Sequence, residues 1–319
     1  MRILILGYSK LFKNKLINAL NNISEFTEVH IAKFKDQEWD NDYLKLNDKK
    51  VILYDNYDDA LKHAEVDIAY ISTVNSAHYE WAKKSINKGW HTIIDKPSTV
   101  SLGRLKDLID TANEKGVFIS ESLVYIFHPQ FNEILRIFNK EQDKVKHIVV
   151  SFSFPPLNAD NFRYNKDLGG GAINDLGPYT ASIGRYFFIK NPEEISYNET
   201  SSKNDVETSF DVMMKYSDGR SMIGHFGFTT EYTNSMTLLG EKVLIEIDRV
   251  FTFPDKTAQT IKVKINNKTE NVFVPNIDTF ESYFDDVLFY IRTNFLKAHQ
   301  MEMLLNVEVI EKIKQLKKC

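Results

Sequence analysis

Six short apolar runs, MRILILG, EVHIAKF, KVILYD, VDIAYIST, WHTIIDKP and GVFISES, recur through the first 122 residues. The helical stretch LFKNKLINAL follows the first run, and DDALKHA, SAHYEWAKKSINKG and LGRLKDLIDTANEKG separate the last four. A chain that leaves a sheet, crosses back as a helix and re-enters at the same end pairs its strands in parallel, so this rhythm predicts βαβ units. Helices packed on a parallel sheet make a Rossmann-type α/β domain, and residues 1–122 are assigned to one dinucleotide-binding domain of that kind.

From residue 123 to residue 319 the pattern changes. A helix is expected in FHPQFNEILRIFNK, and then KHIVVSFSFP, TSFDVMMKYSD, RSMIGHFGFT, SMTLLGE, KVLIEIDRVFTF and TIKVKINN follow with turn signals such as Ser217-Asp218-Gly219 and Asn266-Asn267. Little helix intervenes, and hairpin-linked strands predict an open, mainly antiparallel sheet. The closing stretches FDDVLFYIRTNF and MLLNVEVIEKIKQLKK are helical and complete an α+β domain over 123–319. A chain of 319 residues also exceeds the size at which a single core keeps growing, which agrees with two domains.

Composition removes several classes of function. The formal charge is −4 with acids and bases interspersed, so nothing resembles the basic footprint of a nucleic-acid or anionic-membrane binder. No apolar run approaches the length of a membrane span, and MRILILG is too short for a secretory leader. The single cysteine, Cys319, rules out an intrachain disulfide, and a cytoplasmic location is expected. Histidines and carboxylates show no metal-ligand spacing, so no metal is expected.

The chemistry-bearing residues cluster at predicted strand ends. Gly7-Tyr8-Ser9-Lys10-Leu11-Phe12 keeps one glycine of the three in the dinucleotide fingerprint. The free N–H groups of the following helix, with the Ser9 hydroxyl and the Lys10 charge, still suit a pyrophosphate; otherwise Gly7 simply opens a turn. At the end of the second strand Lys33-Phe34-Lys35 replaces the acid that binds a ribose 2′-hydroxyl, and two cations suit a 2′-phosphate instead. Lys96, flanked by Asp95 and Pro97, ends the fifth strand on the ligand-binding edge of such a sheet, where an ammonium can donate to a carbonyl oxygen; the alternative is an ordinary loop lysine. Far from these, LGGGAINDLGPY spends four of the chain's thirteen glycines in twelve residues, which implies either a close approach to the backbone or a sharp turn.

These pieces together resemble the glucose-fructose oxidoreductase/inositol dehydrogenase/MocA-type oxidoreductases, from residue 1 to about residue 255. The likeness is carried by IAYISTVNSAHYEWAKKSINKGWHTIIDKP, ESLVYIFHPQF and LGGGAINDLGPY. Family Glu-Lys-Pro reads Asp95-Lys96-Pro97 here, and Thr-Pro-Asn-x-x-His reads Thr73-Val74-Asn75-Ser76-Ala77-His78. Ile126 stands where relatives usually place an arginine. The resemblance implies an N-terminal Rossmann domain, a C-terminal open sheet that binds substrate and pairs subunits as a homodimer or homotetramer, and NADP(H) as the preferred cofactor with NAD(H) as the alternative. It assigns Gly7, Tyr8, Ser9, Lys10, Lys33, Ser72, Thr73, Asn75, His78, Asp95, Lys96 and Pro97 to cofactor contacts. His78 equally suits a helix cap.

Asp175-Leu176-Gly177-Pro178-Tyr179 gives the Asp-x-Gly-x-Tyr form, which looks like that of nucleotide-sugar 3-ketoreductases, as do Phe162-Arg163 and Asp248-Arg249-Val250-Phe251. Asp175 and Tyr179 lie one helical turn apart and share a face. Hydride arrival at a ketone carbon creates an alkoxide that needs a proton, and the resemblance makes Tyr179 the acid, with Lys96 lowering a pKa that is otherwise about 10. Asp175 is the third catalytic residue, orienting the sugar hydroxyl or the lysine, and it joins Arg163, Tyr125, Lys96 and Tyr179 as a substrate contact. The expected activity is reduction of a keto group on a nucleotide-linked sugar. Two alternatives stand beside it: dehydrogenation of a free sugar, polyol or dihydrodiol, and a binding or regulatory member of the fold without catalysis.

Overall fold

The alternation in the first third becomes six strands: β1 (Arg2–Leu6), β2 (Glu28–Ala32), β3 (Lys50–Tyr54), β4 (Ile68–Ile71), β5 (His91–Asp95) and β6 (Ile119–Ser122). In the computed structural model, which describes residues 1–40, 46–253 and 258–317, they pair in parallel in the order β3-β2-β1-β4-β5-β6. Cys319 lies outside the described residues. The order reverses between β1 and β4, which opens a crevice at their carboxyl ends. Four helices accompany the strands: α1 (Ile17–Asn22), α2 (Tyr57–His63), α3 (His78–Asn87) and α4 (Leu102–Lys115). Asn56 caps α2 by accepting from Asp59 N at 2.8 Å, and α4 stops where Gly116 turns left-handed at φ 63°.

The second sheet has eight strands. After α5 (Gln130–Lys140) come β7 (His147–Ser153), helix α6 (Ala172–Phe188), β8 (Glu194–Lys203), β9 (Val206–Lys215), β10 (Ser221–Gly227), β11 (Thr233–Leu239), β12 (Val243–Ile247), β13 (Gln259–Ile265) and β14 (Lys268–Val274). Their order is β14-β13-β12-β11-β7-β10-β9-β8, with β7 and β10 parallel and every other pairing antiparallel. Buried and exposed residues alternate along β7, β10 and β11, as expected of a sheet with one covered face. The expected strand KVLIEIDRVFTF stops at Ile247. Beyond it the Asn234 side chain accepts from Val250 N and Phe251 N at 3.1 and 3.0 Å, which turns the backbone out of the ladder and buries Phe251.

Two strands, β8 and β14, were not anticipated. Both are sheet edges, and EISYNETSSK and KTENVFV carry few apolar residues because a mostly exposed edge needs little alternation.

The compact units are Met1–Leu123 with Phe280–Leu304, and Val124–Thr279 with Leu305–Cys319. The division at residue 122 therefore needs one amendment: most of helix α7 (Thr279–Arg292) belongs with the parallel sheet. Its apolar face explains why. Phe284 meets Phe26 edge-on at 5.5 Å and lies 6.1 Å from Tyr70, and the Tyr283 hydroxyl bonds Ser120 Oγ at 2.6 Å. The last helix, α8 (Gln300–Leu316), closes the chain.

Candidate active site

In the first unit the crevice is built mainly from backbone. Gly7 has φ 127°, and a Cβ there would lie 2.2 Å from Ser72 O, so only glycine lets the exit of β1 pass the exit of β4. Gly7 N donates to Ala32 O at 3.0 Å and Ser72 N to Leu6 O at 2.8 Å, which pins three strand ends together. The helix begins at the exposed Lys10. Ser9 and Phe12 stand where the fingerprint has its other glycines. Ser9 Oγ accepts from Phe12 N at 3.1 Å and bonds Ser72 Oγ at 2.7 Å, while Phe12 is buried and opens a wider, π-wound stretch, Phe12–Leu16. This cradle, at the start of a helix, fits a dinucleotide pyrophosphate.

The other strand ends carry side chains with fixed partners. His78 is fully buried: Nδ1 lies 2.7 Å from Pro97 O and Nε2 3.1 Å from Thr73 O. Burial holds its pKa below the usual histidine value, against the pull of these two carbonyls, and with both ring nitrogens on backbone the side chain clasps the loops after β4 and β5 instead of capping a helix or reaching a ligand. Asn75 is buried in the same loop. Asp95 Oδ1 accepts from Lys96 N at 2.9 Å, and the Lys96–Pro97 peptide is cis. One residue here escaped the sequence reading. Glu121, on β6, is buried and accepts from Ser98 N at 2.6 Å; burial raises its pKa, with Ser98 and the Lys96 charge opposing that rise. A glutamate inside the apolar run GVFISES is the signal that marked it.

In the second unit the residues sit on or around α6. Gly169 and Gly171 have φ 75° and 103°. A Cβ on Gly170 would come within 2.7 Å of the carbonyl oxygens of Phe162, Arg163 and Asn165, and one on Gly171 would lie 2.5 Å from Glu207 Oε1. Within this unit, what crowds the glycine run is the chain's own backbone and the Glu207 carboxylate, which accepts from Ile173 N at 3.0 Å at the helix start. Asp175, 4 % exposed, receives Arg163 Nε and Nη2 at 2.7 and 3.1 Å, a bidentate pair. One turn on, the Tyr179 ring lies among Phe251, Phe152 and Tyr125 at 5.0, 5.3 and 5.6 Å between centroids. Pro178 precedes it and removes one helical N–H.

Family models match two segments: one described as oxidoreductase family, NAD-binding Rossmann fold, matches residues 1–123 and so the whole parallel sheet, and a GFO/IDH/MocA C-terminal domain matches residues 137–246, from β7 into β12. The chain belongs to the GFO/IDH/MocA oxidoreductase family. It is an NAD(P)-dependent oxidoreductase. A dTDP-3,4-didehydro-2,6-dideoxy-alpha-D-glucose 3-reductase from Saccharopolyspora spinosa is 23% identical over 281 residues, 87% of this chain and 83% of the relative. An NADP(+)-dependent D-xylose 1-dehydrogenase from Haloferax volcanii is 25% identical over 75% of this chain and 73% of its own. The crystal structure of KijD10, a 3-ketoreductase from Actinomadura kijaniata in complex with NADP and TDP-benzene, shares the fold at a TM-score of 0.87 and 20% identity, covering 99% of this chain and 97% of that one.

Within this GFO/IDH/MocA chain the anticipated residues divide by place in the fold. Gly7, Ser9, Lys10, Ser72, Thr73, Asp95, Lys96 and Pro97 gather at the carboxyl edge of the parallel sheet, and Arg163, Asp175 and Tyr179 gather at the start of α6. Three side chains are committed elsewhere. Tyr8 is buried, with its hydroxyl on Asp40 O at 2.7 Å. Lys33 is buried against Asp55 at 3.3 Å, and Tyr125 is buried with its hydroxyl 2.7 Å from Ser182 Oγ. Apolar surroundings raise the Tyr125 pKa well beyond its ordinary value, and its ring packs against Tyr179. Among the described residues no helix is long and apolar enough to cross a membrane.

Proposed function

We propose that the protein reduces a keto group on a nucleotide-linked sugar with NADPH, using Tyr179 as general acid assisted by Lys96. The observation that carries this reading is the setting of Tyr179, a partly exposed phenol in an aromatic ring, one turn after a buried Asp175 locked by Arg163. The similarity to a dTDP-sugar 3-reductase supports the substrate class. Gly7, Ser9, Lys10 and Ser72 hold the dinucleotide. NADPH, when bound, supplies the hydride for the carbonyl carbon. The chain handles the oxygen: the Tyr179 hydroxyl gives its proton to the developing alkoxide, leaving a phenolate that the Lys96 ammonium favours. Asp175, held still by Arg163, accepts a hydrogen bond from a neighbouring sugar hydroxyl and fixes which carbon faces the hydride. Ketone, hydride and proton together give the alcohol.

A second reading, dehydrogenation of a free sugar, is favoured by the D-xylose 1-dehydrogenase similarity. One assay separates them. NADPH consumption at 340 nm with a dTDP-linked 3-keto-deoxysugar is expected, and NADP⁺ reduction with D-xylose but no turnover of the keto-sugar would reverse the order. The open face of the eight-stranded sheet carries Val149, Ile223 and Met213, 48, 51 and 38 % exposed, in one row across β7, β10 and β9. We assign it to pairing of two copies; light scattering of the Ile223→Glu variant should then report a smaller species than the unmutated chain.

A further inference from the structure

The residue after β2 is where this fold reads the ribose 2′ position. Here that residue, Lys33, is not held out to solvent. Its side chain is only 9 % exposed and its Nζ lies 3.3 Å from Asp55 Oδ1, whereas the Asp55 side chain, one residue beyond β3, is 78 % exposed. Trp39 Nε1 donates to the same Asp55 oxygen at 3.0 Å, and the Lys33 ammonium sits 5.6 Å from the Trp39 ring. Trp39 in turn packs on Tyr8 of the glycine loop at 5.0 Å, and Gln37 Nε2 donates to Tyr8 O at 2.6 Å. The cation is therefore turned inward and a carboxylate outward, on a loop tied to the pyrophosphate cradle.

We propose that Asp55 is a specificity-determining residue: it supplies from β3 the acid missing from β2 and restrains Lys33, so that binding NADPH requires Lys33 to leave Asp55 for the 2′-phosphate. This rests on the cofactor reading above. The physical argument is a competition between two anions for one ammonium. A ribose 2′-hydroxyl leaves the pair intact and donates to Asp55. A 2′-phosphate is repelled by Asp55 and attracted by Lys33, with the exposed Lys35 adding a second charge. Discrimination between the two cofactors is thus weakened by a pair that is nearly neutral overall, and freeing Lys33 should sharpen it.

The test is direct binding, by fluorescence titration of NADPH and NADH, with no turnover involved. Asp55→Asn should tighten NADPH about fivefold or more while leaving NADH unchanged or weaker. Lys33→Met should weaken NADPH and spare NADH. Trp39→Phe keeps an aromatic ring but removes the donor that shares Asp55 with Lys33, and should move the NADPH:NADH ratio the opposite way from Asp55→Asn by a smaller factor. An unchanged ratio in both Asp55→Asn and Trp39→Phe, or equal loss of both cofactors in Asp55→Asn, overturns the proposal. Failure of the unmutated protein to bind either nucleotide overturns the cofactor reading instead.

Discussion

The two sheets expose their chemistry in different ways. In the parallel sheet Gly7, Lys33, Ser72 and Lys96 each follow the last residue of β1, β2, β4 and β5, and Glu121 sits at the end of β6. One edge of the sheet collects every strand end of the same polarity, so function falls there by topology and is made largely of backbone: a glycine at φ 127°, a histidine between two carbonyls, a cis peptide. The eight-stranded sheet has no such edge, because neighbouring strands mostly run in opposite directions. Its candidate residues sit instead on α6 and the short turn Phe162–Tyr164 before it, inserted between β7 and β8, and are made of side chains: a carboxylate, its arginine and a phenol in an aromatic wall. Substitutions in the first region, Lys96 excepted, should act on cofactor binding and loop shape, and those in the second, with Lys96, on chemistry and local stability.

The largest effect expected is that of Tyr179→Phe. The ring contacts with Phe152, Phe251 and Tyr125 persist, so the thermal midpoint should barely move while keto-sugar reduction falls about 10²- to 10⁴-fold. The alkaline limb of the wild-type pH–rate profile should vanish with the hydroxyl. Full activity would transfer the acid role to another group and erase the contrast between the regions. Lys96→Met should match that fall in rate yet keep NADPH affinity; if affinity collapses, the lysine belongs to the cradle.

Next in size is the Arg163–Asp175 pair. Removing one partner of a buried ion pair costs about 3–5 kcal/mol, and because Arg163 is a quarter exposed the lower end applies. Arg163→Met should lower the urea midpoint, and Arg163→Met with Asp175→Asn should recover most of the loss, since no stranded carboxylate remains. If the double variant is no more stable than the single one, the arginine matters for packing alone.

How far the sequence disclosed these features follows from the same contrast. Most of the parallel strands were legible because buried strands are apolar runs, the exposed edge β3 because KVILY is apolar all the same, and the site residues came with them as the next residue in the chain. The edge strands β8 and β14 were not, because an exposed edge has no apolar pattern to read. Motif logic located Lys33, Tyr8 and Tyr125 but could not see that Asp55, Asp40 and Ser182, up to 57 positions away, occupy their polar atoms. The glycine run left a close approach or a sharp turn open; only the fold reveals the carbonyls of Phe162, Arg163 and Asn165 and the Glu207 carboxylate as its neighbours. The assignment of α7 failed for a related reason, since its partners Phe26, Tyr70 and Ser120 lie more than 160 positions upstream.

Gly7→Ala tests the backbone character of the first region. The added Cβ meets Ser72 O and the φ of 127° is costly for any L side chain, so NADPH affinity should drop about 100-fold. Gly89→Ala is the control: its φ of 79° carries the same kind of strain, but no atom lies within 4 Å of the new Cβ. Equal loss of cofactor affinity in both would mean that general destabilisation, and not closure of the cradle, is responsible.

The smallest effect concerns His128, in the second unit, which stacks on Phe253 at 3.9 Å between centroids. Its Nδ1 accepts from Gln130 N at 3.3 Å and its Nε2 is buried without a partner, so the folded site holds a neutral ring. Burial brings its pKa down to about 4 from an ordinary value of about 6.5. A depressed folded-state pKa contributes stability in full above the unfolded value, and that contribution is lost as pH falls from about 6.5 towards about 4, because the unfolded chain takes up the proton first. Between pH 7 and pH 5 the loss amounts to about 2 kcal/mol. His30, His78 and His91 are shifted in the same direction by burial, so acid sensitivity extends to the parallel sheet as well. His128→Asn retains an acceptor for Gln130 N and removes the titration. Its stability should start lower at pH 7 but decline less steeply towards pH 5, a difference that urea unfolding at each pH measures directly. Parallel curves for the two proteins would mean that the ring takes up its proton in the fold at the same pH as in the unfolded chain, and that the second region tolerates a charge which its packing against Phe253 argues against.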